Sequence, residues 1–111
     1  FRSDYCEISQ PSPHMLIACQ VRKDKWEEIP AVVHVDGSCR IQTVNNQDNP
    51  RFRKVIEAFH ALTGIPVVLN TSFNIKGQPI VNTPEQAIQT FRSTELDCLV
   101  LEDYFFEKET T

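Results

Sequence analysis

The chain has 111 residues, 41% of them hydrophobic and 23% charged, which is one domain's worth of polypeptide with enough apolar content for a core. That length excludes an enzyme with separate cofactor and substrate lobes, and the composition argues against disorder. Eleven Lys and Arg against fifteen Asp and Glu leave a net charge of −4, which argues against a nucleic-acid or anionic-membrane surface and makes any phosphate site a local one.

The longest apolar stretches, such as Ile65 to Leu69 and Cys98 to Leu101, are strand length, far from the ~20 residues of a membrane span. No basic start, apolar stretch and cleavage site opens the sequence, so the cytoplasm is the expected compartment. The start at Phe1, without methionine and directly into polar, aromatic text, suits a chain cut from a larger protein. Cys6, Cys19, Cys39 and Cys98 are scattered and form no C-x-x-C pair. That weakens a zinc site or a disulfide framework and predicts reduced, mostly buried thiols.

Met15 to Val21 is an apolar run behind Pro11 and Pro13 and predicts a strand. Arg22 to Glu28 mixes charges around Trp26 until Pro30 intervenes, as a loop or one helical turn would. Ala31 to Val35 and Ser38 to Val44 flank Asp36-Gly37, which predicts a hairpin or a tight strand corner. Asp48-Asn49-Pro50, which supplies a capping side chain and then proline, followed by Phe52, Val55, Ile56, Phe59 and Leu62, predicts an amphipathic helix that ends at Gly64. Pro66 to Leu69 reads as a short buried strand and Asn70 to Asn82 as a polar loop. Thr83-Pro84-Glu85-Gln86 is a capping box for a second helix to about Thr94, with Ala87, Ile88 and Phe91 inward. Cys98 to Leu101 is the last expected strand, and Glu102, Asp103, Glu107 and Glu109 are expected to leave an acidic tail. The order is that of an α/β domain without internal repeats.

Ligands bind at strand ends in α/β sheets, and the loop from Asn70 to Gly77 follows such a strand. Asn70, Thr71, Ser72 and Asn74 can donate to phosphate or carboxyl oxygens, Lys76 adds a charge, and Gly77 permits positive φ. The alternative is an ordinary turn whose Asn and Ser side chains satisfy their own backbone. Alternation turns Arg40, with Gln42, away from Cys39 and Ile41. There it is either a solvated edge charge or a bidentate fork for phosphate or carbamate. Arg51, Arg53 and Lys54 crowd a helix N-terminus, where cations are disfavoured, so either an anion or acidic neighbour compensates or they are solvated. His14, His34 and His60 make no metal-ligand spacing, with His34 beside the expected hairpin the one to watch. No Ser-His-Asp set, nucleophile elbow or Walker loop is present, so covalent catalysis is not indicated.

Three ordered segments carry a family resemblance: His34 to Val44 (HVDGSCRIQTV), Asp48 to Phe52 (DNPRF) and Leu62 to Ile88 (LTGIPVVLNTSFNIKGQPIVNTPEQAI). They resemble the carboxyl-terminal domain of NodU-type O-carbamoyltransferases. The resemblance covers nearly all of residues 1–111, which are then one such domain, a fragment of a larger chain. It includes Ser12 to Leu16, where the family more often has tyrosine at the position of His14. Ser72-Phe73-Asn74, with Gly77 and Pro79 behind it, is also similar to the Ser-x-Asn segment of YrdC-like threonylcarbamoyl-adenylate synthases, as is the strand of Arg40.

The resemblance implies an α/β fold with a twisted mixed sheet and helices packed on it, a partial domain of YrdC type. It implies that ATP and carbamoyl phosphate, with Mg²⁺, give carbamoyl-adenylate. A separate amino-terminal domain of actin-like ATPase fold would then pass the carbamoyl group to an acceptor hydroxyl. Arg40, Ser72 and Asn74 would be catalytic, and Asn70, Thr71, Ser72, Asn74 and Lys76 would bind the nucleotide. No metal-ligating residue is expected on this chain. The family carries a basic segment upstream of the region, so the chain alone is expected to be inactive in transfer. The competing reading is a non-catalytic nucleotide-binding or domain-docking module.

Overall fold

The computed structural model describes residues 1–8 and 10–109, which form two compact units, Phe1–Leu69 and Asn70–Thr111. In the first, helix α1 (Arg2–Tyr5) leads to strand β1 (Ile17–Gln20), two short 3₁₀ turns, strand β2 (Ser38–Ile41) and helix α2 (Pro50–Thr63). In the second, helix α3 (Pro84–Ser93) precedes the β3–β4 hairpin (Cys98–Leu101 and Tyr104–Glu107). Among the described residues no helix is long and apolar enough to cross a membrane.

β1 and β2 pair antiparallel with Ile17 opposite Ile41 and Cys19 opposite Cys39. Cys6 adds a single antiparallel bridge to Val21 on the other side of β1. Tyr5, Cys6, Val21, Ile29 and Cys39 are buried, with Cys19, Trp26, Ile41, Ile65 and Val67 packed against them. The Tyr5 hydroxyl donates to Glu28 at 3.0 Å, and burial followed by the Glu28 charge pushes its pKa up, so it remains a donor.

The segment Ala31 to Val35 does not form the first arm of a hairpin. Pro30 fixes φ and opens a 3₁₀ turn (Pro30–Val32), and the chain corners at Val35 to Gly37, where the Gly37 amide donates to the His34 carbonyl at 2.9 Å. β2 therefore takes β1 as its partner, and the Asp-Gly signal marks a tight corner. Asp36 holds that corner by accepting from the Ser38 amide at 3.0 Å and the Ser38 hydroxyl at 2.6 Å. These bonds lower its carboxyl pKa below the ordinary value.

α2 starts where expected, with the Asn49 side chain accepting from the Phe52 amide and Pro50 in the first turn, and it ends at Gly64. Its apolar stripe is not buried: Val55, Phe59 and Leu62 are 56%, 39% and 87% exposed. Pro66 to Leu69 joins no strand pairing among the described residues, and Pro66 brings no amide hydrogen to a ladder.

α3 is capped by Thr83, whose hydroxyl accepts from the Gln86 amide at 3.1 Å, while the Gln86 side chain accepts from the Asn82 amide at 3.0 Å. Ala87 and Phe91 turn into a small core with Leu99, which Phe73, Val81, Ile88, Leu101 and Phe106 complete. The expected acidic tail is a strand instead. Tyr104-Phe105-Phe106 has strong β preference and doubles back on β3, with Leu99 opposite Phe106 and Glu102 turning at φ 53°. Both sheets are thus two-stranded and antiparallel, and the α/β class is borne out at that level.

Gly37 has φ 85°, and a Cβ there would stand 2.5 Å from Trp26 Cζ2. The Trp26 ring is held in place by its indole N–H donating to the Val21 carbonyl at 2.9 Å. Gly37→Ala should therefore destabilise by more than about 1 kcal/mol, since left-handed strain and overpacking add. Denaturant unfolding followed by tryptophan fluorescence would measure it, and a cost near zero would mean that the ring is free to move.

Candidate functional site

The polar loop after Leu69 is built by alternation and by one turn. Phe73 and Val81 reach into the α3–β3 core, and the Val81 amide donates to the Phe73 carbonyl at 2.8 Å, closing the base of the loop. Ile75 is half-buried as well. Ser72, Asn74 and Lys76, which alternate with Phe73 and Ile75, are exposed, as are Asn70 and Thr71. At the tip, Gln78 N–H donates to the Ile75 carbonyl at 2.9 Å, with Gly77 at φ 85° in the third position of the turn. Of the five residues expected to bind nucleotide, Asn74 and Lys76 lie within the loop that the bond from Val81 to Phe73 closes, and Asn70, Thr71 and Ser72 lead into it.

Asn74 has a structural task there. Its amide donates to the Ile75 carbonyl at 3.1 Å and the Gln78 carbonyl at 3.2 Å, so its nitrogen braces the turn. Other polar groups that the segment exposes include the Thr71 and Ser72 hydroxyls and the Lys76 ammonium. The loop from Asn70 to Asn82 contains no carboxylate, so no charged side chain in it repels phosphate or offers Mg²⁺ an anionic ligand.

Arg40 lies in the other unit, on the outer face of the β1–β2 ribbon opposite Ala18, and is exposed between buried Cys39 and half-buried Ile41. The side-chain direction expected from alternation holds. Of the cations at the start of α2, Arg53 resolves its own penalty. Its guanidinium bonds Glu57 at 2.8 Å, one turn on, and the Val44 carbonyl at 2.8 Å. The compensating acidic neighbour is thus Glu57. Exposed His34 contributes a backbone turn, and the His60 ring meets Phe1 edge-on at 4.8 Å.

Two features were not legible from motif spacing. One is a cleft of about 410 Å³ in the first unit, bordered by Tyr5, Arg22, Lys25 and His60 among others. Its charges are partly spent, since Arg22 lies 3.6 Å from Asp24 and Lys25 lies 3.3 Å from Glu28. The other is the convergence of Cys6, Cys19 and Cys39, whose sulfur atoms all lie within 4.8 Å of one another. Position parity along the strands was the available signal, because Cys19 and Val21 share a face and Cys6 bridges to Val21. Burial pushes the Cys6 and Cys39 thiols up, so neither is a ready nucleophile at neutral pH.

Residues 2–108 match the family model described as carbamoyltransferase C-terminus. An uncharacterised Synechocystis protein is 42% identical over 125 aligned positions, covering 95% of this chain and 20% of the relative. The nodulation protein NolNO of Sinorhizobium fredii is 44% identical over 101 residues, 91% of this chain and 15% of the relative. The 3'-hydroxymethylcephem-O-carbamoyltransferase of Amycolatopsis lactamdurans is 33% identical over 96 residues, 86% of this chain and 18% of the relative. The chain thus spans a fifth or less of the length of these relatives.

The brace formed by Asn74 is separable from any ligand contact. Asn74→Ala should raise amide hydrogen exchange at Gln78 and Val81 by about fivefold, the equivalent of one net hydrogen bond of about 1 kcal/mol. Unchanged exchange at both amides would show that the turn stands on Gly77 alone.

Proposed function

The chain belongs to the carbamoyltransferase C-terminus family, and from that premise we propose that it is the carboxyl-terminal part of an O-carbamoyltransferase that builds an adenylation pocket for ATP and carbamoyl phosphate. The observation that carries the reading is the loop from Asn70 to Gly77, which presents hydroxyls, amides and one lysine on a braced turn with no carboxylate. That donor set fits a polyphosphate, and the completed fold would be of YrdC type.

In the proposed reaction carbamoyl phosphate loses inorganic phosphate to water. A carbamate oxygen then bonds to the α-phosphorus of ATP as the bond to pyrophosphate breaks, leaving carbamoyl-adenylate. Arg40 would hold a phosphate oxygen of carbamoyl phosphate through its planar fork. Ser72 would donate to the nucleotide phosphates through its hydroxyl, and Asn74 would do so only by giving up a bracing bond, since both hydrogens of its side-chain nitrogen already go to carbonyls. Asn70, Thr71 and Lys76 would complete the cradle. Donors held in place around the bound substrate would stabilise developing charge without reorganising. Mg²⁺ would enter on the nucleotide's own phosphates and supply charge neutralisation at the leaving pyrophosphate.

The carbamoyl group would pass to an acceptor hydroxyl on a separate amino-terminal domain of actin-like ATPase fold, so the chain by itself would not complete transfer. The cytoplasm, where ATP is available, is the compartment this chemistry requires.

In the intact protein, Arg40→Ala and Ser72→Ala should each lower carbamoyl phosphate-dependent pyrophosphate release from ATP by about 10²-fold, the loss expected for one transition-state donor. Release at the wild-type rate in both variants would remove this loop and strand from the adenylation site.

A domain-docking role has its own observation in the uncovered stripe of α2. We infer that Val55, Phe59 and Leu62 are covered by the rest of the longer protein, since three large apolar side chains on one helix face gain nothing from water. Leu62→Asp would change stability by no more than about 0.5 kcal/mol if that face met only solvent. In the intact protein it should lower the unfolding midpoint clearly, and an unmoved midpoint would leave the face without a partner.

A further inference from the structure

Three side chains that an ordinary core would make aliphatic are thiols, and they come from three separate segments. Cys6 sits on the chain that bridges to Val21, Cys19 on β1 and Cys39 directly opposite it on β2. Cys6 Sγ lies 3.5 Å from Cys39 Sγ, and Cys19 Sγ lies 3.7 Å from Cys39 Sγ. Four sulfurs placed tetrahedrally around an ion at about 2.3 Å stand about 3.8 Å apart. A disulfide would need about 2.05 Å, so no pair here is bonded and all three thiols are free. Two of the three sulfur pairs are thus already at ligand spacing and the third lies within 4.8 Å, on a face that the β1–β2 pairing and the Cys6 bridge hold in register.

We propose that Cys6, Cys19 and Cys39 form a three-thiolate site for a single soft d¹⁰ cation, Zn²⁺ or Cu⁺. Thiolate ligands select these ions over the hard, oxygen-seeking Mg²⁺ and Ca²⁺. Among the described residues no His, Asp or Glu joins the cluster, so the protein contributes sulfur only. Cu⁺ would be complete with three sulfurs in a plane, whereas Zn²⁺ would take one small exogenous ligand as its fourth. On binding, three S–H protons go to solvent and three sulfur–metal bonds form, with no change of oxidation state. The surroundings, with Val21, Ile29 and Trp26 nearby, keep water from competing for the ion. The ion would tie the amino-terminal segment to both strands of the ribbon that carries Arg40. This site does not depend on the adenylation reading, since its ligands are not among the loop donors.

The test is metal titration of the intact, reduced protein. Zn²⁺ would be competed against a chromophoric chelator, Cu⁺ against a Cu⁺-specific one, and Co²⁺ used as a coloured substitute for Zn²⁺. Cys6→Ala, Cys19→Ala, Cys39→Ala and the triple variant would be compared with Cys98→Ala, which removes the exposed thiol outside the cluster. One equivalent should bind to wild type and to Cys98→Ala, with affinity falling about 10²-fold or more in each cluster variant. The preferred ion, Zn²⁺ or Cu⁺, follows from which arm saturates first. Failure of wild type to take up either ion, or full uptake by the triple variant, would overturn the proposal. If a cluster variant does not fold, X-ray absorption of the wild-type complex decides the matter by itself: three sulfur neighbours support the site and fewer than three reject it.

Discussion

The register of β1 against β2 is the constraint on which the first unit depends. Pairing Ile17 with Ile41 and Cys19 with Cys39 sends one set of alternate side chains into the core and the other, Ala18 and Arg40, outward. A slip of one residue would bury Arg40 and expose Cys39, so the register is protected by the cost of an unpaired buried guanidinium. The corner before β2 helps to fix it, because Asp36 and Gly37 leave a single route from the Pro30 turn into the strand. The same pairing creates the thiol cluster and presents the guanidinium, although neither side chain was selected by local propensity.

The second unit solves a different problem, which is to hold a polar loop still without burying it. It does so with two apolar anchors, Phe73 and Val81, one backbone bond between them and an Asn side chain across the tip. The core beneath is small, and burying a side chain such as Phe91 contributes roughly 1.5 to 3 kcal/mol. Lys108 reinforces it by lying over the Phe91 ring at 4.9 Å and donating to the Thr94 carbonyl at the C-terminal end of α3. The chain of consequence runs from alternation, to an anchored backbone, to a turn braced across its tip by Asn74.

The two helices show how similar sequence signals diverge in outcome. Both have a polar N-cap and proline in the first turn, and both form as their caps dictate. α3 finds β3 and buries Ala87 and Phe91, whereas α2 finds no such cover and leaves Leu62 in solvent. An amphipathic pattern announces that a face will be covered and carries no information about the covering surface.

Local chemistry was therefore what the sequence by itself determined: α2 and α3 with their caps, the Gly64 stop, the turn at Gly77, the outward side of Arg40, and, through long ordered motifs, the family. These depend on side chains acting on backbone within a few residues, so neighbouring letters suffice. The tertiary structure alone decided that β2 pairs with β1 rather than with Ala31 to Val35. It also left Pro66 to Leu69 unpaired, made Tyr104 to Glu107 a strand, and gathered Cys6, Cys19 and Cys39 from 33 residues of chain. Pairing and convergence of this kind depend on which distant segments come to share an edge or a face, and that balance of burial against chain entropy is struck by the whole fold.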